Sequence, residues 1–172
     1  MAIEKPEYVV ELASHGIEIR NYSEYWIAEC HVKNESDLSM ASSMAFRRLF
    51  NYISGENSAN QKIEMTSPVQ QTAGETGWLI SFVVPKDVSL GSIPVPRNSS
   101  IEIKKVPAGK YAALVYSGAW SDDKLESKGR ELLSAVEKLG LVTDGPLTSA
   151  RYNPPFMPAF LRRNEVLVRL KA

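Results

Sequence analysis

Apolar and polar residues alternate from Ile17 to Arg20 and again from Tyr25 to Lys33, the two-residue period of a half-buried strand. In the second run Trp26, Ala28, Cys30 and Val32 share one face, and Ile27, Glu29, His31 and Lys33 the other. The two runs, joined through Asn21 to Glu24, are expected to form a hairpin. Ser36 and Asp37 offer N-caps to a helical pattern that runs from Leu38 to about Ser54 and stops at Gly55, a suitable C′ residue. Lys62 to Gln71 reads as a strand that Pro68 confines to an edge or an irregular stretch. Trp78 to Val84 reads as an apolar strand ending at Pro85, and Lys86 to Ser100 as a loop.

The pattern then restarts. Ile101-Glu102-Ile103-Lys104 echoes Ile17-Glu18-Ile19-Arg20, and Tyr111 to Gly118 reads as a strand. Ser121 is an N-cap, with Asp122 and Asp123 in the first turn, where the helix dipole favours acid. Leu125, Gly129, Leu132, Leu133, Val136 and Leu139 follow on one side of a helix that closes at Gly140. Thr148 to Asn153 and Glu165 to Leu170 read as the last strands, joined by Pro154 to Asn164. Strand starts at 17 and 101, and helix starts at 38 and 122, are separated by the same 84 residues. The expected fold is therefore α+β: a distorted antiparallel β-barrel or curved sheet from two pseudo-symmetric β-β-α-β-β halves with two main helices. One domain over residues 1–172 is expected, duplicated over about 8–85 and 101–170. Such a duplication leaves a groove on or near its pseudo-axis, a usual place for a small ligand.

Composition narrows the function. The chain has 172 residues, and its 20 basic side chains balance 20 acidic ones, which argues against a general nucleic-acid binder. The single cysteine, Cys30, cannot make an internal disulfide or a cysteine-rich metal site. No apolar run is long enough for a membrane span, and Met1 to Val10 lacks the apolar centre of a signal peptide. The expectation is a cytoplasmic chain, monomeric or weakly dimeric, with a small-molecule partner.

On the first helix Ser42, Ala45, Phe46, Leu49, Tyr52 and Ile53 form the expected core side, with Phe50 at its border. The opposite side carries Met40, Met44, Arg47 and Asn51, with Arg48 close by. Flexible, polarisable methionines beside arginines suit a large flat ligand with acidic groups. They equally suit methionines under a neighbouring loop and arginines in water. The loop before the last strand carries Phe156, Met157, Phe160 and Leu161 and ends in Arg162 and Arg163. Apolar side chains of this size gain about 1.5–3 kcal/mol each on burial, so the loop either packs on the body or lines a pocket.

Catalytic and metal constellations are sparse. His15 sits in a turn, His31 on a solvated strand face, and Cys30 reads as a buried inert thiol. No phosphate loop, nucleophile elbow or zinc motif occurs. Glu102 with Tyr111 or Tyr116 is the one acid–tyrosine pairing available for hydrolysis.

Ile17 to Tyr22, Ala45 to Asn57 and Lys62-Ile63-Glu64-Met65-Thr66-Ser67-Pro68-Val69 resemble the SOUL haem-binding protein family. Tyr152-Asn153-Pro154-Pro155-Phe156 with Arg162-Arg163-Asn164-Glu165-Val166 is similar to its C-terminal signature. The resemblance spans about residues 8–170. It implies a distorted barrel of two halves, related to GyrI-like effector-binding domains, and non-enzymatic binding of haem or another porphyrin for buffering, transport or signalling. The implied groove lies between the first helix (Met40, Met44, Arg47, Arg48, Asn51) and the late loop (Phe156, Met157, Phe160, Leu161, Arg162, Arg163). Some members carry a histidine, proposed as the iron ligand, where this chain has Asn21, and asparagine is not a usual axial ligand. The implied mode is shallow and weakly ligated, with arginines against propionates. The alternatives are a GyrI-like small-molecule domain or hydrolase, and a protein-interaction module.

Overall fold

The computed structural model describes residues 3–154 and 156–172; Met1, Ala2 and Pro155 of the late-loop motif lie outside them. The elements in chain order are β1 (Tyr8–Ser14), β2 (Ile17–Tyr22), β3 (Tyr25–Lys33), α1 (Leu38–Ile53), β4 (Val69–Gly74), β5 (Gly77–Val83), α2 (Lys86–Leu90), β6 (Ile101–Val106), β7 (Gly109–Tyr116), α3 (Asp122–Lys138), β8 (Thr148–Arg151) and β9 (Asn164–Arg169). The pairings are antiparallel. The fold is α+β, with a curved antiparallel sheet. The chain packs as two compact units, residues 24–107 with the N-terminal segment through Pro6, and residues 7–23 with 108–172.

The first unit orders its strands β4-β5-β3-β6. Asp37 caps α1, its carboxylate accepting from the Ser39 and Met40 backbone N–H at 2.9 and 3.2 Å. The buried side of α1 is Leu38, Ala41, Ala45, Leu49, Tyr52 and Ile53. Two alanines there let the helix lie close to Cys30, Val32, Ile80 and Phe82. Phe46, expected in the core, is not: the buried arc is centred nearer Leu38 and Ala41. Phe46 sits at its margin, edge-on to Phe82 at 5.6 Å and stacked on Phe50 at 6.1 Å. Cys30 is fully buried.

The second unit orders its strands β1-β2-β7-β9-β8. α3 begins after Ser121, whose hydroxyl accepts from Lys124 N–H. It buries Gly129, Leu132, Ala135 and Val136 against Ile17, Ile19, Ala112, Leu114, Val166 and Val168. Leu133 is exposed instead.

The 84-residue spacing extends to β2 and β6, β3 and β7, caps Asp37 and Ser121, and α1 and α3. Strand partners differ from expectation. β2 pairs with β1 and β7, and β3 with β5 and β6, so the expected hairpin does not form. Ser23 and Glu24, the two residues between the strands, lack the positive φ that a tight hairpin turn needs. The opening strand of each half thus belongs to the unit built around the other half's helix. Residues 62–68 are not strand, and pairing starts only at Val69, after Pro68. β1 and the short α2 were not anticipated.

Candidate functional site

On α1, Met40, Met44, Phe46 and Phe50 are 57, 41, 44 and 50% exposed. Arg47 is exposed and Asn51 half-buried beside them. The side flagged by the sequence is therefore open within its unit, and it is broader than expected because the Phe46–Phe50 stack adds to the two methionines. Arg48 is different. It is half-buried and turns toward the sheet, its Nη1 3.4 Å from Ser100 Oγ and 3.9 Å from Cys30 Sγ.

The late loop belongs to the second unit. Its backbone is tied internally: Met157 N–H donates to Pro154 C=O, Leu161 N–H to Pro158 C=O, and Gly118 N–H to Ala159 C=O within a 3₁₀ turn at Ala159–Leu161. This framework leaves Phe156, Phe160 and Leu161 exposed and Met157 half-buried. The two arginines are engaged. Arg162 Nε donates to Met157 C=O at 2.9 Å, and its guanidinium lies 4.4 Å from the Trp120 ring centre. Arg163 bonds Glu165 through Nε and Nη2 at 3.0 and 2.5 Å.

The pattern of polar positions gave no warning of what lies at the centre of this unit. Arg20 and Glu165, both 0% exposed, form a bidentate pair at 2.7 and 3.0 Å. Arg20 also donates to Tyr22 Oη at 2.9 Å and to Glu18 at 2.6 and 3.1 Å, and stacks 4.3 Å from the Tyr8 ring centre. Tyr152 Oη donates to Glu165 at 3.1 Å. Burial alone would raise the Glu165 pKa. The hydrogen bonds and charge of Arg20, then of Arg163, outweigh burial and hold the carboxyl below its ordinary value. Burial and then the Glu165 charge push the Tyr152 hydroxyl upward. Glu165 is thus a carboxylate with both oxygens engaged by cations, a poor proton acceptor.

An open hollow of about 670 Å³ lies beside this network, lined among others by Tyr8, Glu18, Ala113, Val115 and Arg163. Of the residues expected to line the groove, Arg163 borders it. Glu102 is mostly exposed, 3.7 Å from Lys104 Nζ, so it is not a buried acid. Burial raises the Tyr116 pKa, against the opposing charge of Arg151. Asn21 is exposed on β2. His31 Nε2 lies 3.3 Å from Thr76 C=O, and His15 Nδ1 lies 2.8 Å from Ser14 Oγ. Among the described residues no cluster of three His, Cys, Asp or Glu side chains could hold a metal ion. No helix among them is long and apolar enough to cross a membrane.

Two antiparallel units with one long helix apiece make up a fold shared with several solved structures. The crystal structure of the EcmrR C-terminal domain is 9% identical, with TM-score 0.67, over 90% of this chain and 96% of that one. A hydrolase from Listeria innocua is 10% identical, with TM-score 0.57, over 94% of both chains. SAV2435, solved bound to tetraphenylphosphonium, is 8% identical, with TM-score 0.50, over 91% and 94%. No curated protein sequence matches the chain. The family model described as SOUL heme-binding protein matches residues 3–169, and the chain belongs to that family.

Proposed function

We propose that the protein binds haem or a related tetrapyrrole reversibly, without turning it over. The carrying observation is the outward side of α1, where two methionines and a stacked phenylalanine pair stay exposed beside Arg47. A porphyrin presents a flat apolar face and two carboxylates. Thioethers and aromatic rings suit the first, and guanidinium suits the second. The exposed loop side chains Phe156, Phe160 and Leu161 offer a second apolar surface of the same chemistry. The donor set fits the ring and propionates better than it fits the iron, because Asn21 stands where some relatives have histidine. A methionine thioether is an acceptable axial ligand in general, and Met44 is the candidate. Arg48 and Arg163 contribute less, since their guanidiniums are directed to Ser100 and Glu165.

The test is titration of the chain with hemin, followed by its main absorption band. Saturable binding is expected, weakened by Arg47→Ala and by Met40→Glu with Met44→Glu. Phe156→Ser with Phe160→Ser tests the loop separately. Absence of a saturable spectral change, with thermal stability unaltered by hemin, would reject the proposal.

A second reading has one supporting observation, the hollow beside Tyr8 and Arg163. It would take a small amphipathic molecule against Val115 and Ala113. A Val115→Arg substitution that abolishes binding while α1 variants leave it intact would favour that site.

A further inference from the structure

β6 ends the strand order of the first unit and pairs with β3 alone among the described residues. His31 N–H donates to Ser100 C=O at 3.0 Å, and the register sets Glu102 and Lys104 opposite Glu29 and Ile27. Antiparallel bonding alternates along a strand, so Glu102, Lys104 and Val106 turn their backbone groups toward β3. Ile101, Ile103 and Lys105 turn theirs outward. Ile101 N–H is taken by Asn98 C=O at 3.1 Å. The Ile101 C=O and both backbone groups of Ile103 and Lys105 have no hydrogen-bond partner among the described residues. On β2, 84 residues earlier, the matching side is covered by β1. At the same spacing from β1, residues 92–98 hold Pro94 and Pro96, which have no N–H for a ladder. That stretch is bonded elsewhere: Ser58 N–H donates to Val95 C=O at 2.9 Å, and Arg97 N–H to Glu56 C=O at 3.4 Å. β6 is left as an open edge.

Such an edge is a template for another strand, and lysines are a usual guard against one. Here both lysines of the edge are engaged by their own chain. Lys104 Nζ lies 2.7 Å from Glu29 Oε1 and 3.7 Å from Glu102 Oε2, and Lys105 Nζ lies 2.9 Å from Glu24 Oε2. Glu102 stands directly opposite Glu29 in the register and shares Lys104 with it, its own side chain 72% exposed. Like charges directly opposite are destabilising, so a further cation facing Glu102 would relieve this pair.

We propose that β6 is a self-association edge, to which a second copy of this chain adds its own β6, antiparallel, about a two-fold axis at Ile103. In that register Ile103 faces Ile103 of the second copy, and Ile101 faces Lys105. Outward groups then meet outward groups: Ile103 N–H reaches Ile103 C=O, and Lys105 N–H reaches Ile101 C=O, each in both directions. Glu102 stands opposite Lys104, also in both directions, at non-hydrogen-bonded pairs, where side chains come closest. Moving the axis to residue 102 or 104 also matches outward groups, but it sets Glu102 against Glu102 or Lys104 against Lys104. The charges therefore select one register. The outer strand of the second unit, β1, is a poorer template, because a bulge between Val10 and Leu12 breaks its register and bends the strand. This surface goes beyond the tetrapyrrole reading and does not depend on it.

The experiment is sedimentation velocity of the full chain without added ligand, over about 0.01–1 mM, the range that suits a small interface. The sedimentation coefficient should rise with concentration from monomer toward dimer. Glu102→Lys sets like charges opposite each other at both pairs and should weaken association by about tenfold or more. Lys104→Glu should do the same. Mixed in equal amounts, these two variants are complementary at both pairs and should associate with each other. Lys105→Pro removes an outward N–H without touching the β3 ladder; it should stay monomeric, with its thermal midpoint reporting that it folds. A parent that is monomeric at every concentration refutes the proposal, whatever other strand the edge accepts. A dimer undiminished in Glu102→Lys and Lys105→Pro refutes it too, because the contact then lies elsewhere. Folded charge variants that fail to associate when mixed refute the register.

Discussion

Replacing Glu165 by glutamine removes one charge and almost no volume, so its effect isolates the buried ionic network. Glu165 accepts five hydrogen bonds, two from Arg20, two from Arg163 and one from Tyr152. The glutamine amide N–H₂ would face guanidinium donors, and the fully buried Arg20 would lose its charge partner. Breaking one side of a buried pair costs about 3–5 kcal/mol. For a chain of this length that corresponds to a midpoint lowered by roughly 6–20 °C, at about 2–4 °C per kcal/mol. Urea denaturation followed by circular dichroism at neutral pH measures the loss. The pH dependence gives an independent check. The folded-state pKa of Glu165 lies below its ordinary value of 4.5, so its contribution is fully present above that pH and fades as pH falls through the folded-state value. The parent should therefore lose stability below pH 4.5, and Glu165→Gln should show a shallower acid limb. Glu18→Gln is the control: Glu18 also bonds Arg20, but its side chain is 33% exposed, and the loss should stay near or below about 1 kcal/mol. A Glu165→Gln protein as stable as the parent, with the same acid limb, would refute the assignment of Glu165 as a clamped carboxylate.

Gly77 has φ +106°, and an added Cβ would lie 2.0 Å from the Val32 carbonyl oxygen. Gly77→Ala should cost about 2 kcal/mol or more, whereas Gly16→Ala, with φ +76° and open space, should cost only the backbone term of about 1–2 kcal/mol; paired denaturation curves decide. Tyr52 donates to the Pro94 carbonyl at 2.7 Å, so Tyr52→Phe should cost about 1–3 kcal/mol through the unmet acceptor. Burial pushes the Tyr52 hydroxyl up to about 12; its contribution is complete below pH 10 and is lost as pH rises toward 12, and an ultraviolet titration should show a late-ionising component that loses one tyrosine in Tyr52→Phe.

The local signals carried most of the elements. Alternation placed β2, β3 and β6 at their observed starts, and Asp37 and Ser121 announced both long helices, because a cap is written within four residues. Pairing is another matter. A two-residue connection between β2 and β3 suggests neighbours, yet the partners are β7 and β5, and sequence spacing carries no information about which distant strand wins. β1 escaped because five of its seven residues are exposed, which erases the alternation that marks a strand. Phe46 was assigned to the core because a helical wheel assumes the buried arc follows the largest side chains. In fact alanines at 41 and 45 set the approach to the sheet. The exposed methionine side of α1 was legible, since polar and apolar residues on one helix flank can be counted. Arg20 and Glu165 were not: two charges 145 residues apart each read as solvated until the fold brings them together.

The trade of opening strands makes the stretches of chain before and after residues 91–100 inseparable as proteins. A cut in the stretch between residues 91 and 100 would give an N-terminal fragment without β6, a neighbour of β3, and a C-terminal fragment without β2, a neighbour of β7, and without β1, which pairs with β2. Neither piece would carry a complete set of ladder partners. Mixing the pieces would restore both sets, so complementation between the two fragments, rather than autonomous refolding of either, is the behaviour this strand order sets.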